Sequence, residues 1–267
     1  MCDDNNTHER GSPMRLHLIA SAVAAALLLG VFPGAPGGRE AAAATPRECP
    51  DLRFDGTIRV PAGVGILLAE AVINEDCSVT QFVPRAISAS QAIPLTNPDL
   101  QIRQPFVKIG GPGPGPDPDY HENNQIIDPW GVNLTQIVTD INATTNGSTI
   151  TGWSGGGYQQ YHGEVPDPTC GNGPGWYPLS GNGLYYWSGG TGQTWVAVHT
   201  QGWFGYKGQF DCSGNTYENH LDNYVYAYAD NSVLCSYNQW WKTGFPGWRL
   251  YVTCWNPFVV KYDHTLQ

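Results

Sequence analysis

The sequence predicts an all-β protein: an antiparallel, aromatic-rich sandwich or barrel, disulfide-linked, with a small N-terminal β module. Three observations carry that expectation. Several runs alternate apolar and polar residues with period two, bounded by Gly, Asn, Asp and Ser. No helix-period pattern of useful length competes with them. An even set of six cysteines follows the N-terminal region, as in exported, disulfide-linked domains.

The order of segments along the chain divides it into four parts. Residues 1–44 read as a secretory signal region. Arg15 precedes a charge-free stretch from Leu16 to Phe32, and Ala41 to Ala44 offer small residues for cleavage near Ala44. Met14 is an alternative start. An uncleaved membrane anchor is the rival reading, at the short end of the roughly 17–25 residues that a spanning helix needs.

Residues 45–109 hold neither Trp nor Tyr and read as the small N-terminal module. Gly56 to Val60 and Val64 to Ile73 are its strands. The second run is ambiguous, since its Leu, Ala and Glu also suit a helix, but its β-branched ends and length favour a strand. Cys49 and Cys77 are its only cysteines, and pairing them closes it on itself. Residues 110–119, Gly110-Gly-Pro-Gly-Pro-Gly-Pro-Asp-Pro-Asp119, read as a solvated linker, because proline lacks a backbone donor and glycine resists ordering.

Residues 120–267 contain all ten Trp and all fourteen Tyr and read as the aromatic β domain. Asn146-Gly147 between Thr135–Thr144 and Ser148–Trp153 predicts a hairpin with a type I′ turn. Further strands are expected at Thr194–Trp203, Leu221–Ala229, Val233–Trp241 and Trp248–Trp255. If Lys242 to Gly247 joins the last two as a hairpin, Trp241 faces Trp248 and Cys235 faces Cys254, within bridging range. Cys170 is then left for Cys212. The same register puts Val233, Cys235, Tyr237, Trp241, Trp248, Leu250, Val252 and Cys254 on a core face. Leu234, Trp240, Arg249, Tyr251 and Trp255 fall on the other, with Trp240 and Arg249 as a cation–π pair.

Charge narrows the functional classes. Beyond residue 44 the chain carries 10 Lys/Arg and 19 Asp/Glu. That balance excludes nucleic acid as the expected partner, because phosphate backbones call for basic patches. No stable membrane insertion is expected once the signal is cleaved.

The chemistry-bearing patterns are few. Glu218, His220, Asp222, Tyr224, Tyr226, Tyr228 and Asp230 alternate along one strand and share one face. Tyrosine rings beside acids suit a sugar ligand; they also stabilise sheets by cross-strand pairing. Tyr224, Tyr226, Tyr228, Trp240, Arg249, Tyr251 and Trp255 are therefore the candidate ligand-binding residues. Glu218-x-His220-x-Asp222 lacks a second ligand pair at matching spacing. Asp211-Cys-Ser-Gly-Asn215, and Asp117-Pro-Asp119 with Glu122, offer oxygens but not the twelve-residue calcium loop, so turn chemistry is the expected role. Gly152-Trp-Ser154-Gly-Gly156 matches a nucleophile elbow without the helix that an elbow requires. His121, His162, His199 and His264 are expected in surface or structural roles. No cofactor, metal or catalytic residue is assigned, since no HExxH, P-loop or dinucleotide fingerprint occurs. Asn133, Asn142 and Asn146 head glycosylation sequons.

The function these features predict is non-catalytic binding outside the cell, to glycan or cell-envelope material. A secreted polysaccharide hydrolase using two carboxylates, and a secreted structural or antagonistic protein, are the alternatives.

Overall fold

The computed structural model describes residues 47–92, 101–106, 108–110, 119–167, 171–208 and 211–257. The signal region expected over 1–44, most of the 110–119 linker, and Cys170 of the expected Cys170–Cys212 pair lie outside them. The described residues form one compact unit of antiparallel β structure.

Among the described residues fourteen strands run in chain order: β1 Cys49–Val60, β2 Ile66–Ile73, β3 Val79–Ala86, β4 Gln101–Pro105, β5 Ile109–Gly110, β6 Asp119–Ile127, β7 Asn133–Thr145, β8 Ile150–Asp167, β9 Gly171–Pro178, β10 Gly183–Gly189, β11 Trp195–Lys207, β12 Glu218–Tyr228, β13 Val233–Gly244 and β14 Arg249–Trp255. Their hydrogen-bonded path is β1-β13-β12-β11-β9-β8-β7-β6-β14-β2-β3, with β10 beside β11 and with β4 and β5 beside β8. The sheet folds over into two facing layers and comes close to closing. β1, β13, β12, β11, β10 and β9 form the front layer; β3, β2, β14, β6 and β7 form the back. β8 is 18 residues long, pairing with β7 through Tyr161 and with β9 from Gly163, and so carries the sheet from back to front.

The core lies between the layers, and strand alternation fills it. Leu221, Val225 and Ala227 of β12 point inward, as do Val233, Cys235 and Trp241 of β13, each with 0% exposure. All eight residues assigned to the core face from Val233 to Cys254 are buried.

The reason for that arrangement differs from the expected hairpin. β13 pairs with β1 on one edge and β12 on the other, while β14 pairs with β2 and β6. A strand has two edges, so neither has one left for its sequence neighbour. The chain instead passes between layers at Phe245–Trp248, where Gly247 adopts φ 86°. A Cβ there would come within 2.9 Å of Pro129. Cys235 and Cys254 do form a disulfide, with Cα atoms 5.9 Å apart, but it bridges the two layers through the core. Trp241 and Trp248 also meet across the core, with ring centroids 6.3 Å apart.

The N-terminal strands are not a separate module. β1 extends the front layer beside β13, and β2 extends the back layer beside β14. The aromatic-poor segment supplies what a Trp- and Tyr-rich core needs to pack densely, namely small and aliphatic partners. Phe54 meets Trp241 at 4.4 Å between centroids. Gly56 lies under the Tyr237 ring, where a Cβ would sit 2.4 Å from the hydroxyl. Cys49–Cys77 is present and ties β1 to the β2–β3 turn. The ambiguous run is a strand, β2.

The Asn146-Gly147 hairpin joins β7 to β8 but uses a four-residue turn. Asn146 Oδ1 accepts from the backbone of Ser148 and Thr149, and only Gly147 takes positive φ. The side chain thus supplies the closing bonds that a type I′ backbone would not need.

Candidate functional site

β12 presents its even-numbered residues from Glu218 to Tyr228 on the outer face of the front layer, half-buried among their neighbours. Register with the flanking strands sets who stands beside whom. Trp195, His199, Gln201 and Trp203 of β11 oppose Tyr228, Tyr224, Asp222 and His220. On the other side, Trp240, Asn238, Ser236 and Leu234 of β13 oppose His220, Asp222, Tyr224 and Tyr226.

Two ring clusters result, separated by a polar row. In one, His199 stacks on Tyr224 at 4.2 Å and 5° between planes, Tyr185 lies 5.8 Å from His199, and Trp187 packs edge-on to Tyr224 at 5.2 Å. Tyr226, next on the same face, contacts Trp195. In the other, Trp203 stacks on His220 at 4.4 Å, and Trp240 meets the same imidazole edge-on at 4.6 Å. The Trp240 indole N–H donates to Asp51. Gln201, Asp222 and Asn238 form the row between. Trp203 lies four strand steps beyond His199, so the clusters stand about 13 Å apart.

The carboxylates on this face are engaged. Asp222 Oδ1 lies 3.1 Å from His199 Nε2, and Glu218 Oε1 lies 2.7 Å from His220 Nε2, with Lys242 at 3.6 Å from Glu218. Burial raises the Tyr224 and Tyr226 hydroxyls above the ordinary phenol value, with Asp222 adding to the effect at Tyr224. Both phenols therefore remain neutral hydrogen-bonding groups at neutral pH.

The seven candidate residues do not form one site. Tyr224, Tyr226, Tyr228 and Trp240 share the outer front face, with Arg59 lying 5.3 Å over the Tyr228 ring. Arg249 and Tyr251 belong to the back layer, where Arg249 pairs with Glu70 and hydrogen-bonds Tyr251. That hydrogen bond raises the guanidinium further above its ordinary value. Trp255 is buried against Ile66 and Ala92. The expected Trp240–Arg249 pair does not exist, because it required the β13–β14 ladder; Arg53 is the cation opposite Trp240.

Sequence reasoning missed three exposed rings beside this face. Tyr185, Tyr186 and Trp187 on β10 are 45%, 51% and 52% exposed. A bulge between Tyr186 and Ser188 leaves Trp187 without a register partner and aims it at His199 and Tyr224. Tyr186 stacks on Trp153 at 5.3 Å. Three consecutive aromatics on a short strand were the available signal, since alternation can bury at most one face.

The remaining motifs resolve into structure. Ser154 sits inside β8 and is buried, with strand on both sides. Asp211 organises its turn, accepting from Ser213 and Thr216; partial burial pulls its carboxyl upward, but these bonds outweigh it and hold it down at about 2. Glu122 faces the core with 0% exposure. Asp117 lies outside the described residues. No group of three His, Cys, Asp or Glu side chains among the described residues is placed to hold a metal ion. Of the sequon asparagines, Asn133 and Asn142 are buried and Asn146 is exposed.

The fold and this face together define a disulfide-linked β sandwich carrying an exposed aromatic surface on one layer. The chain matches no family model, no curated protein and no solved structure. No helix among the described residues is long and apolar enough to cross a membrane.

Proposed function

We propose that this is a secreted, non-catalytic binding protein that holds glycan or cell-envelope carbohydrate on the outer face of its front layer. The observation that carries the reading is the pair of half-exposed rings, Tyr185 and Trp187, that β10 sets beside His199 and Tyr224. Exposed ring surface on this scale is costly in water and marks interaction sites. Trp187 and Tyr185 would stack on sugar rings, while Gln201, Asp222 and Asn238 would hydrogen-bond hydroxyls between the two ring clusters. That layout suits an extended oligosaccharide lying along β12 better than a single sugar. Export is supported by the disulfides, which persist in oxidising compartments.

The test is depletion from solution by a panel of insoluble polysaccharides, with a reducing-sugar assay on the same samples. Retention without release of sugar is expected. Trp187→Ala should weaken retention about tenfold or more, a loss of about 1.4 kcal/mol, with thermal stability nearly unchanged. Failure to bind any member of a broad panel, or equal retention of the variant, would remove the reading.

A further inference from the structure

The core holds a cluster of buried polar side chains that the binding surface does not use. Glu122 of β6 stands opposite Thr139 of β7. The Thr139 hydroxyl bonds that of Thr200 on β11, across the core, at 2.5 Å. Thr200 stands opposite Asn223 of β12. Asn223 Oδ1 accepts from Asn124 Nδ2 at 3.1 Å, again across the core. Asn124 lies two residues from Glu122 on the same face of β6, so four strands from both layers contribute to one cluster of polar side chains.

Glu122 is the weak member of that cluster. It is fully buried, and neither carboxyl oxygen has a hydrogen-bond partner. Asn124 Oδ1 and Asn223 Nδ2 are also unpartnered. The groups facing it offer no positive charge. β14 presents Cys254 directly opposite, β7 presents Thr139, β13 presents Cys235 and Tyr237, β12 presents Asn223, and β1 presents Gly56 beneath Tyr237. The titratable groups among these are phenols, Tyr237 and, along β6, Tyr120. His121 lies on the opposite face of β6, engaged with Asp140.

We propose that Glu122 is kept as the neutral acid between the layers, and that its ionisation loosens their contact, making the fold sensitive to rising pH. An isolated carboxylate in an apolar interior is far more costly than the neutral acid. Burial accordingly raises the group well above its ordinary value of 4.5. The folded chain thus holds this proton more tightly than the unfolded chain. The stabilisation is complete below the unfolded value and is lost as pH climbs from there through the raised native value. The protein would therefore hold together best in a mildly acidic setting.

Thermal and urea unfolding of wild type and Glu122→Gln, from about pH 4 to about pH 9, test this directly. Wild type should lose stability relative to the variant by up to about tenfold in the folding constant per pH unit through that window. The amide, which cannot ionise, should be the more stable at neutral pH. Parallel profiles would overturn the proposal. Should the Gln variant fail to fold, infrared spectra of wild type decide instead. A protonated-carboxyl carbonyl band that persists at neutral pH and is lost on alkaline titration supports it, and no such band refutes it. Stabilisation of wild type but not of the variant by sodium or calcium at neutral pH would mean an ionised Glu122 holding a cation, and would also overturn it.

Discussion

Trp240 and Trp241 are sequence neighbours on β13 with opposite fates. Trp241 points inward with 0% exposure, against Phe54 and Trp248. Trp240 points outward, edge-on to His220, with its indole N–H on Asp51. The two faces of the front layer repeat the contrast. Inward groups must find partners from a fixed set across the core, and Glu122 shows the consequence when they do not. Outward groups choose among neighbours, solvent and ligand. The same residue type therefore specifies stability on one face and remains available for recognition on the other.

The sharpest way to break this comparison is to truncate both indoles. Trp241→Ala should cost about 3–5 kcal/mol in urea unfolding, the range for deleting a buried aromatic. Trp240→Ala should cost less than about 1 kcal/mol, in keeping with cross-strand pairs on a solvated face. Equal losses would mean that the outer face is structural and would weaken the binding proposal. Next in size is the inter-layer bridge. Cys235→Ser with Cys254→Ser opens a crosslink of sequence separation 19, and should cost about 3 kcal/mol by loop entropy. The smallest effect sharpens the contrast within the site. Tyr224→Phe keeps the ring stacked on His199 and should change stability by less than about 0.5 kcal/mol. A measurable drop in polysaccharide retention would assign its hydroxyl to the ligand.

Much of the fold was legible because strands and turns write local patterns. The β12 alternation named its inner and outer residues correctly, since period two follows from backbone geometry alone. Alternation likewise gave the core side of β13 and β14, with Trp248 just ahead of β14, although the hairpin register that linked the two strands does not form. The site was legible only in part. Tyr224 and Trp240 share a face because β12 and β13 pair, but Arg249, Tyr251 and Trp255 were placed with them by a hairpin that does not form. Three consecutive aromatics hinted at exposed rings, but the aim of Trp187 at Tyr224 depends on a bulge in β10, and a bulge leaves little trace in residue type.

The Cys235–Cys254 bridge marks the boundary most clearly. Local chemistry was enough to specify all-β structure, a hairpin at Asn146-Gly147, an even cysteine set, and which side of β12 is apolar. Only the tertiary structure decided that β1 and β2 would occupy the free edges of β13 and β14, turning an expected hairpin into a crossing between layers. Edge pairing is settled by competition among all strands for backbone partners and by how side chains fill one shared core. Segments far apart in the chain settle that competition, so no single segment records its outcome.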